Sequence, residues 1–262
     1  MVSLLGVPWD GSSTYMQGAA DAPAAIRNAL HSASSNLTTE GGLDLQHNPA
    51  WQDAGDMQFS NAPWYEAVEH RAISLLEQDH SIVALGGDHA VTYPLVKAHS
   101  TKYSDLTILH LDAHPDLYDD FEGNPYSHAS PFARIMESGL ARRLIQVGIR
   151  TMNAHQQQQA ARFGVEVFDM QHWQGYKALQ LEGPVYLSVD LDVLDPAFAP
   201  GVSHHEPGGL STRALLQIIQ DIPVRLVGAD IVELNPTRDI NNVTAMVAAK
   251  VLKEVLHNML DT

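Results

Sequence analysis

The sequence predicts an α/β fold, a three-layer α/β/α sandwich around a central, mostly parallel sheet, with residues 1–262 forming a single domain. Three observations carry this reading. Short β-rich apolar runs alternate along the chain with amphipathic segments. Many of those runs are nearly continuous rather than alternating, as strands covered on both faces must be. Four of them run into glycine or ionisable residues, and in open parallel sheets ligands bind outside the carboxyl ends of the strands.

Taken in order, VSLLGV (2–7) is the first strand. Residues 32–62 are polar and poorly patterned and read as long loops, with room for one short edge element. A helix is predicted from Pro63 to Gln78, opening on a proline tolerated in a first turn and placing Ala67, Ala72 and Leu75 among charged positions. Strands follow at SIVALG (81–86) and LTILHLD (106–112), then a short helix from Pro131 to Gly139. LIQVGI (144–149), VEVFD (165–169) and VYLSVDLD (185–192) are the next strands, and the QQQQ run at 156–159 is too short to be low-complexity sequence. Thr212 to Asp221 carries Leu215, Leu216 and Ile219 at helical spacing, LVGADIVEL (226–234) is the last strand, and Asn242 to Leu260 spaces Val243, Met246, Val247, Val251 and Val255 as an amphipathic helix. There is neither a linker nor a repeat.

Composition removes several function classes. The formal net charge is −16, which argues against a nucleic-acid partner, since phosphate binding needs clustered Lys and Arg. It suits a cationic substrate and equally suits plain solubility. Cysteine is absent, so disulfides and thiolate zinc sites are excluded, and any metal must be held by His, Asp and Glu. No apolar run approaches the roughly 20 residues that cross a bilayer, and the start of the chain has no basic n-region, so no membrane association and a cytoplasmic location are expected.

The strand ends carry the chemistry. In HLDAHPD, Asp112, His114 and Asp116 are two apart and point the same way while the chain stays extended, and Pro115 should end the strand. Asp190 and Asp192 repeat the pattern in DLD, and His89 follows two glycines that permit a tight strand-to-helix turn. Each fragment alone is more often a capping or solvated pair. Together they bring four aspartates to neighbouring strand ends with no Lys or Arg among them. Such a cluster repels itself unless cations intervene, and two divalent ions balance its formal charge. The oxygen-rich ligand set favours Mn²⁺, with activated water as the nucleophile.

GGDHA (86–90), DAHPD (112–116) and SVDLDVLDPAFAPG (188–201) resemble the ureohydrolase family of arginases, agmatinases and relatives. GVPWDGSSTYMQGA near the start, SHASPF (127–132), EPGGLS (206–211) and DIVELNP (230–236) fall in the family's order, so the resemblance runs over nearly the whole chain. It implies an arginase-like fold, two Mn²⁺ per chain, hydrolysis of a guanidino compound, and a homo-oligomer, trimeric or hexameric. Carried over by position, it makes His89 a ligand of one metal and His114 of the other. Asp112 and Asp190 would bridge, Asp116 would bind the first ion and count among the catalytic residues, and Asp192 would bind the second. His128 matches the proton-shuttling histidine and Glu206 the acid that receives the guanidinium. A carboxylate fork suits a planar guanidinium, and histidine suits proton delivery near neutral pH. His110 and Glu233 are expected to support the ligands rather than bind metal, and Asp10 to cap the next segment or border the pocket. Ala129 stands where many members have glycine.

The loop LYDDFEGNPYS holds Asp119, Asp120 and Glu122 and no base, and His204 and His205 precede Glu206. An acidic rim would repel an α-carboxylate and attract a second cation, so the expected reaction is agmatine to urea and putrescine. Arginine, guanidinobutyrate, guanidinopropionate and formiminoglutamate are the alternatives. A one-metal zinc deacetylase is disfavoured by the six-residue ligand set, a non-catalytic family member by the intact His128 and Glu206, and a binuclear phosphatase by the lack of basic residues in the motifs.

Overall fold

The structure, a computed structural model, describes residues 1–59, 63–174 and 179–260. Eight strands form one all-parallel sheet: β1 (Val2–Val7), β2 (Trp51–Asp56), β3 (Ser81–Gly86), β4 (Thr107–Leu111), β5 (Arg143–Ile149), β6 (Glu166–Asp169), β7 (Val185–Asp190) and β8 (Leu226–Val232). Their spatial order is β2-β1-β3-β8-β7-β4-β5-β6. Helices α1 (Ala22–Leu30), α6 (Thr212–Gln220) and α7 (Val243–Leu260) cover one face. Helices α2 (Trp64–Leu76), α3 (Thr92–Ser100), α4 (Pro131–Glu137) and α5 (Ala154–Phe163) cover the other.

The two covered faces explain the continuous apolar runs. Along β7, Val185, Leu187 and Val189 point into the core under α6 and α7, while Tyr186 points into the opposite one. On α6, Leu215, Leu216, Ile218 and Ile219 are all buried, each contributing about 1.5–3 kcal/mol by removal from water.

All seven expected strands and four expected helices are present, with ends shifted by a few residues. Three helices were not anticipated, and the one further strand, β2, is the short edge element for which residues 32–62 had room. α1 has an Ala-rich sequence in which Ile26 and Leu30 supply most of the apolar contact. α3, TYPLVKAHS, is so fully buried that no polar face marks it. α5 contains the glutamine run and is defined by its ends: a capping box between Asn153 and Gln156, and Gly164 in the left-handed conformation at φ 64°. The strand β2 lies within the stretch read as loops. It is an edge strand, mostly exposed, with Asp53 and Asp56 paired to Arg27 of α1, so it lacks the apolar signature of the inner strands.

Candidate metal centre

β4 and β7 are neighbours in register, with His110 opposite Ser188, so their carboxyl ends stop at the same height. Beyond them the chain turns at once. β4 ends at Leu111, and Asp112 accepts a hydrogen bond from the backbone N–H of His114 at 2.6 Å. Asp116 sits at φ 50°, a left-handed conformation that costs a non-glycine residue energy and is kept where the surroundings over-determine it. β7 ends at Asp190, which accepts from the N–H of Asp192 at 2.8 Å across one helical turn. The expected extended alternation is therefore replaced by two turns capped by their own aspartates. Asp192 also accepts from the N–H of Ala113 at 3.1 Å, tying the two turns together. His89 arrives from β3, where a side chain on Gly87 would collide with the carbonyl of Trp9.

These turns bring all six expected metal ligands together. His89 Nδ1 lies 3.1 Å from Asp112 Oδ2, 3.1 Å from Asp116 Oδ2 and 3.2 Å from Asp190 Oδ2. It is fully buried, yet none of the three accepts a hydrogen bond from it. Its other nitrogen, Nε2, is 2.9 Å from Ser188 Oγ, and Ser188 donates to Asp230 at 2.6 Å. With the serine proton committed, Nε2 is the donor and Nδ1 is left facing three carboxylate oxygens. Ligands held about 2.1–2.2 Å from one octahedral ion stand about 3.0 Å apart, so the spacing fits a divalent cation. On the other side, His114 Nδ1 lies 2.9 Å from Asp192 Oδ2 and 3.5 Å from Asp112 Oδ1. Asp112 thus turns one oxygen to each histidine, an arrangement that would let it bridge two ions. Asp190 turns only Oδ2 towards His89, its Oδ1 capping Asp192.

The electrostatics call for the same cations. Burial, then the charges of Asp192 and Asp112, push the Asp190 carboxyl well above its usual range. Burial and Asp112 push Asp192 up to about 6. Burial works against a charged His114, but Asp192 and Asp112 overcome it and lift the ring to about 12.

Behind the ligands, His110 Nε2 lies 2.7 Å from Asp112 Oδ2, and its Nδ1 is 3.0 Å from the amide nitrogen of Gln146. Gln146 donates there, so His110 donates to Asp112 and orients it. His110 therefore stands behind Asp112, where the sequence reading expected a supporting residue. Gln146 was not anticipated; its signal was a lone amide inside the apolar run LIQVGI. Arg150 was missed too. Its guanidinium donates to the carbonyls of Gly148, Asp192, Val193, Leu194 and Glu206, fastening the Asp192 turn to the loop at 203–209.

A cleft of about 180 Å³ opens over the ligands, and its walls include Thr14, Tyr118, Thr151, Gln156 and His204. His128 and Glu233 face each other across it, with Nδ1 3.5 Å from Oε1. His128 Nε2 is 2.9 Å from Thr14 Oγ1, and Glu233 Oε1 accepts from the backbone N–H of His89 at 2.8 Å. Burial opposes a charged His128, but Glu233 lifts it to about 9. Glu233 is held at φ 66° just past β8.

Several expectations are corrected here. Glu206 does not line the cleft: its loop turns the backbone carbonyl to Arg150, and Glu233 is the glutamate in the wall. None of the three acids expected at the rim is part of the cleft wall. Asp119 is turned to α5, bonded to Gln159 and near Arg162; Asp120 caps the N–H of Gly123 at 3.2 Å; Glu122 is exposed at φ 55°. His205 faces outward, 2.7 Å from the carbonyl of Pro200, whereas His204 lies in the cleft, stacked on His128 at 5.0 Å. Asp10 caps the N–H groups of Gly18 and Ala20. Ala129 lines the cleft beside His128.

A family description, that of the arginase family, matches residues 1–257. The chain belongs to the arginase family. It is 46% identical to arginase 1, mitochondrial, of Arabidopsis thaliana, over 97% of this chain and 79% of that protein. It is 34% identical to an agmatinase of Bacillus cereus, over 97% of this chain and 90% of that one. The solved arginase of Medicago truncatula superposes with a TM-score of 0.91 at 43% identity, covering 98% of this chain and 87% of that chain. Among the described residues, no helix of this family member is long and apolar enough to cross a membrane.

Proposed function

We propose that this ureohydrolase hydrolyses the terminal guanidinium group of arginine, releasing urea and an amine, with two Mn²⁺ as its native ions. The observation that carries the reading is the pairing of the orphaned His89 Nδ1, ringed by three carboxylates, with Glu233 and His128 facing each other directly above. His89, Asp112, Asp116 and Asp190 would hold one ion, and His114, Asp112 and Asp192 the other. Bound there, the pair of cations supplies water activation near neutral pH.

The chain's own residues do the rest. Glu233, in place of Glu206, accepts the guanidinium N–H groups and sets the plane of the substrate over the cluster. His128 delivers a proton to the amine nitrogen as its bond to carbon breaks, and Thr14 keeps the ring turned for this. The water oxygen ends on the carbon of urea. Asp116 stays in the ligand set.

The tail preference rests on the walls. With Asp119, Asp120 and Glu122 outside the cleft wall, neutral groups of Thr14, Thr151 and Gln156 would meet the far end of the substrate. They offer hydrogen bonds to an α-carboxylate and no second negative charge for a diamine. The Arabidopsis arginase, at 46% identity, supports the same choice. Agmatine is the second reading, supported by the net charge of −16 and the agmatinase relative. Urea release from arginine, agmatine, guanidinobutyrate and guanidinopropionate, with manganese loaded, decides between them; formamide release covers formiminoglutamate. Arginine is expected to show the highest kcat/KM. Equal or better turnover of agmatine overturns the arginine assignment, and no urea from any of them overturns the enzymatic reading.

A further inference from the structure

Apart from the two cation positions already described, a further set of donor atoms meets inside the cleft. His128, His204 and Glu233 each offer one ligand atom, and these atoms lie within 4.8 Å of one another. The two imidazole rings are stacked, with centroids 5.0 Å apart and planes at 28°. His128 Nδ1 and Glu233 Oε1 are separated by 3.5 Å. That is long for a charge-assisted hydrogen bond, which prefers about 2.7–2.9 Å. It is close to the roughly 3.4 Å between two ligands that each stand about 2.1 Å from one tetrahedral ion. The far side of the His128 ring is fixed by Thr14 Oγ1, 2.9 Å from Nε2. Metal-bound histidines are usually held this way, through the nitrogen that does not face the metal.

The donor chemistry differs from that of the main cluster. There, carboxylates outnumber imidazoles; here, two imidazoles meet one carboxylate, a set that zinc takes in sites with an open fourth position. The main cluster suits a hard ion and this trio a nitrogen-preferring one. We propose that His128, His204 and Glu233 form a third divalent-cation site, selective for Zn²⁺ or a similar imidazole-preferring ion, and that its occupation switches the cleft off.

The cation site stands on geometry alone; its inhibitory effect rests on the roles proposed for His128 and Glu233. A cation there occupies both groups. One carboxylate against two positive charges also leaves the wall cationic, which repels a guanidinium.

The test uses the full chain loaded with two equivalents of Mn²⁺. Zn²⁺ is added in steps, free metal is removed, and both metals are counted per chain. The expected result is one bound Zn²⁺ with both Mn²⁺ retained, a zinc absorption spectrum showing imidazole ligands, and loss of urea release that rising substrate relieves. His204→Asn should weaken zinc binding on the order of 10–100-fold, the range lost when a metal's surroundings are disturbed, while keeping both Mn²⁺. Zinc uptake matched by manganese release overturns the proposal, because it places the ion in the main cluster. Unchanged zinc affinity in a folded His204→Asn also overturns it. Should that variant not fold, His204→Gln serves instead, and unchanged zinc affinity there overturns the proposal. Metal counting reads the site even if no guanidino compound is turned over, so failure of the proposed reaction and failure of the site are told apart.

Discussion

Ser188 accepts a hydrogen bond from His89: Oγ and Nε2 are 2.9 Å apart, and the serine's own proton goes to Asp230 at 2.6 Å. Asp230 also accepts from Tyr186 at 2.8 Å and from Thr92 at 3.0 Å. This buried chain fixes which nitrogen of His89 faces the carboxylates. Ser188→Ala removes the acceptor and frees the ring to change tautomer. Metal affinity on the His89 side should fall on the order of 10–100-fold, as it does when partners behind a ligand are lost. Equilibrium dialysis against fixed free Mn²⁺, with circular dichroism to check folding, measures it. Wild-type affinity at both positions would sink the tautomer argument.

The two glutamates make the sharpest comparison. Glu233 lines the cleft and lies 3.5 Å from His128, whereas Glu206 offers only its backbone carbonyl to Arg150. Glu233→Gln should lower kcat/KM on the order of a hundredfold or more, the scale of a lost charge-stabilising contact. Glu206→Gln should leave it within about twofold, as substitutions away from such features usually do. The reverse ranking in a urea-release assay would return the guanidinium role to Glu206.

Residue spacing singled out six candidate ligands that the structure brings together, because ionisable side chains at strand ends stand out against apolar runs. The inner strands were legible for the same reason. What spacing does not encode is which way a loop residue turns. Glu206 and Asp119 carry the right charge at the right place in the chain, but one is turned by Arg150 and the other by Gln159, both contributed by distant elements. α5 was hidden because its sequence is mostly polar and its definition lies in its caps, and β2 was legible only as an unplaced edge element because an edge strand needs no apolar face. Gln146 and Arg150 act on backbone and ring atoms, contacts that no motif records.

Arg150 should be sensitive to a change that keeps its charge. Its guanidinium reaches five carbonyls, at residues 148, 192, 193, 194 and 206. An ammonium has three donors and no planar fork. Arg150→Lys should lose about 2–4 kcal/mol of stability through unsatisfied carbonyls. It should also loosen the ion held by His114 and Asp192 before the one held by His89. Denaturant unfolding measures the first effect, and metal content after mild dialysis the second. Equal loss of both ions would show that the clamp does not act through the Asp192 turn.

Chelation should destabilise the whole fold. Without cations, burial and mutual repulsion raise Asp190 well above the usual carboxylate range and Asp192 to about 6, so the cluster carries a cost that the ions remove. An ion present at a thousandfold its dissociation constant adds about 4 kcal/mol. For a chain of this length that corresponds to a melting temperature roughly 10 °C lower after chelation. Calorimetry before and after treatment, with manganese added back, tests it. An unchanged Tm would show that the cluster is stable without cations.

A histidine outside the cleft sets a separate acid limit. His99 is fully buried in α3, packed on Tyr186 with ring centroids 4.9 Å apart, and a side chain on Gly228 would collide with it. Burial pushes its pKa down to about 4. In the unfolded chain the ring has its usual value near 6.5. Between those values the unfolded state binds a proton that the folded state refuses, so stability falls as pH falls. The contribution is fully present above about pH 6.5 and is lost by about pH 4, an effect on the order of 3 kcal/mol. His99→Leu removes the titration, so the difference in Tm between pH 7 and pH 4.5, measured with both proteins chelated so that loss of metal on acidification is the same for each, should shrink. An unchanged difference would assign the acid sensitivity to the carboxylates instead.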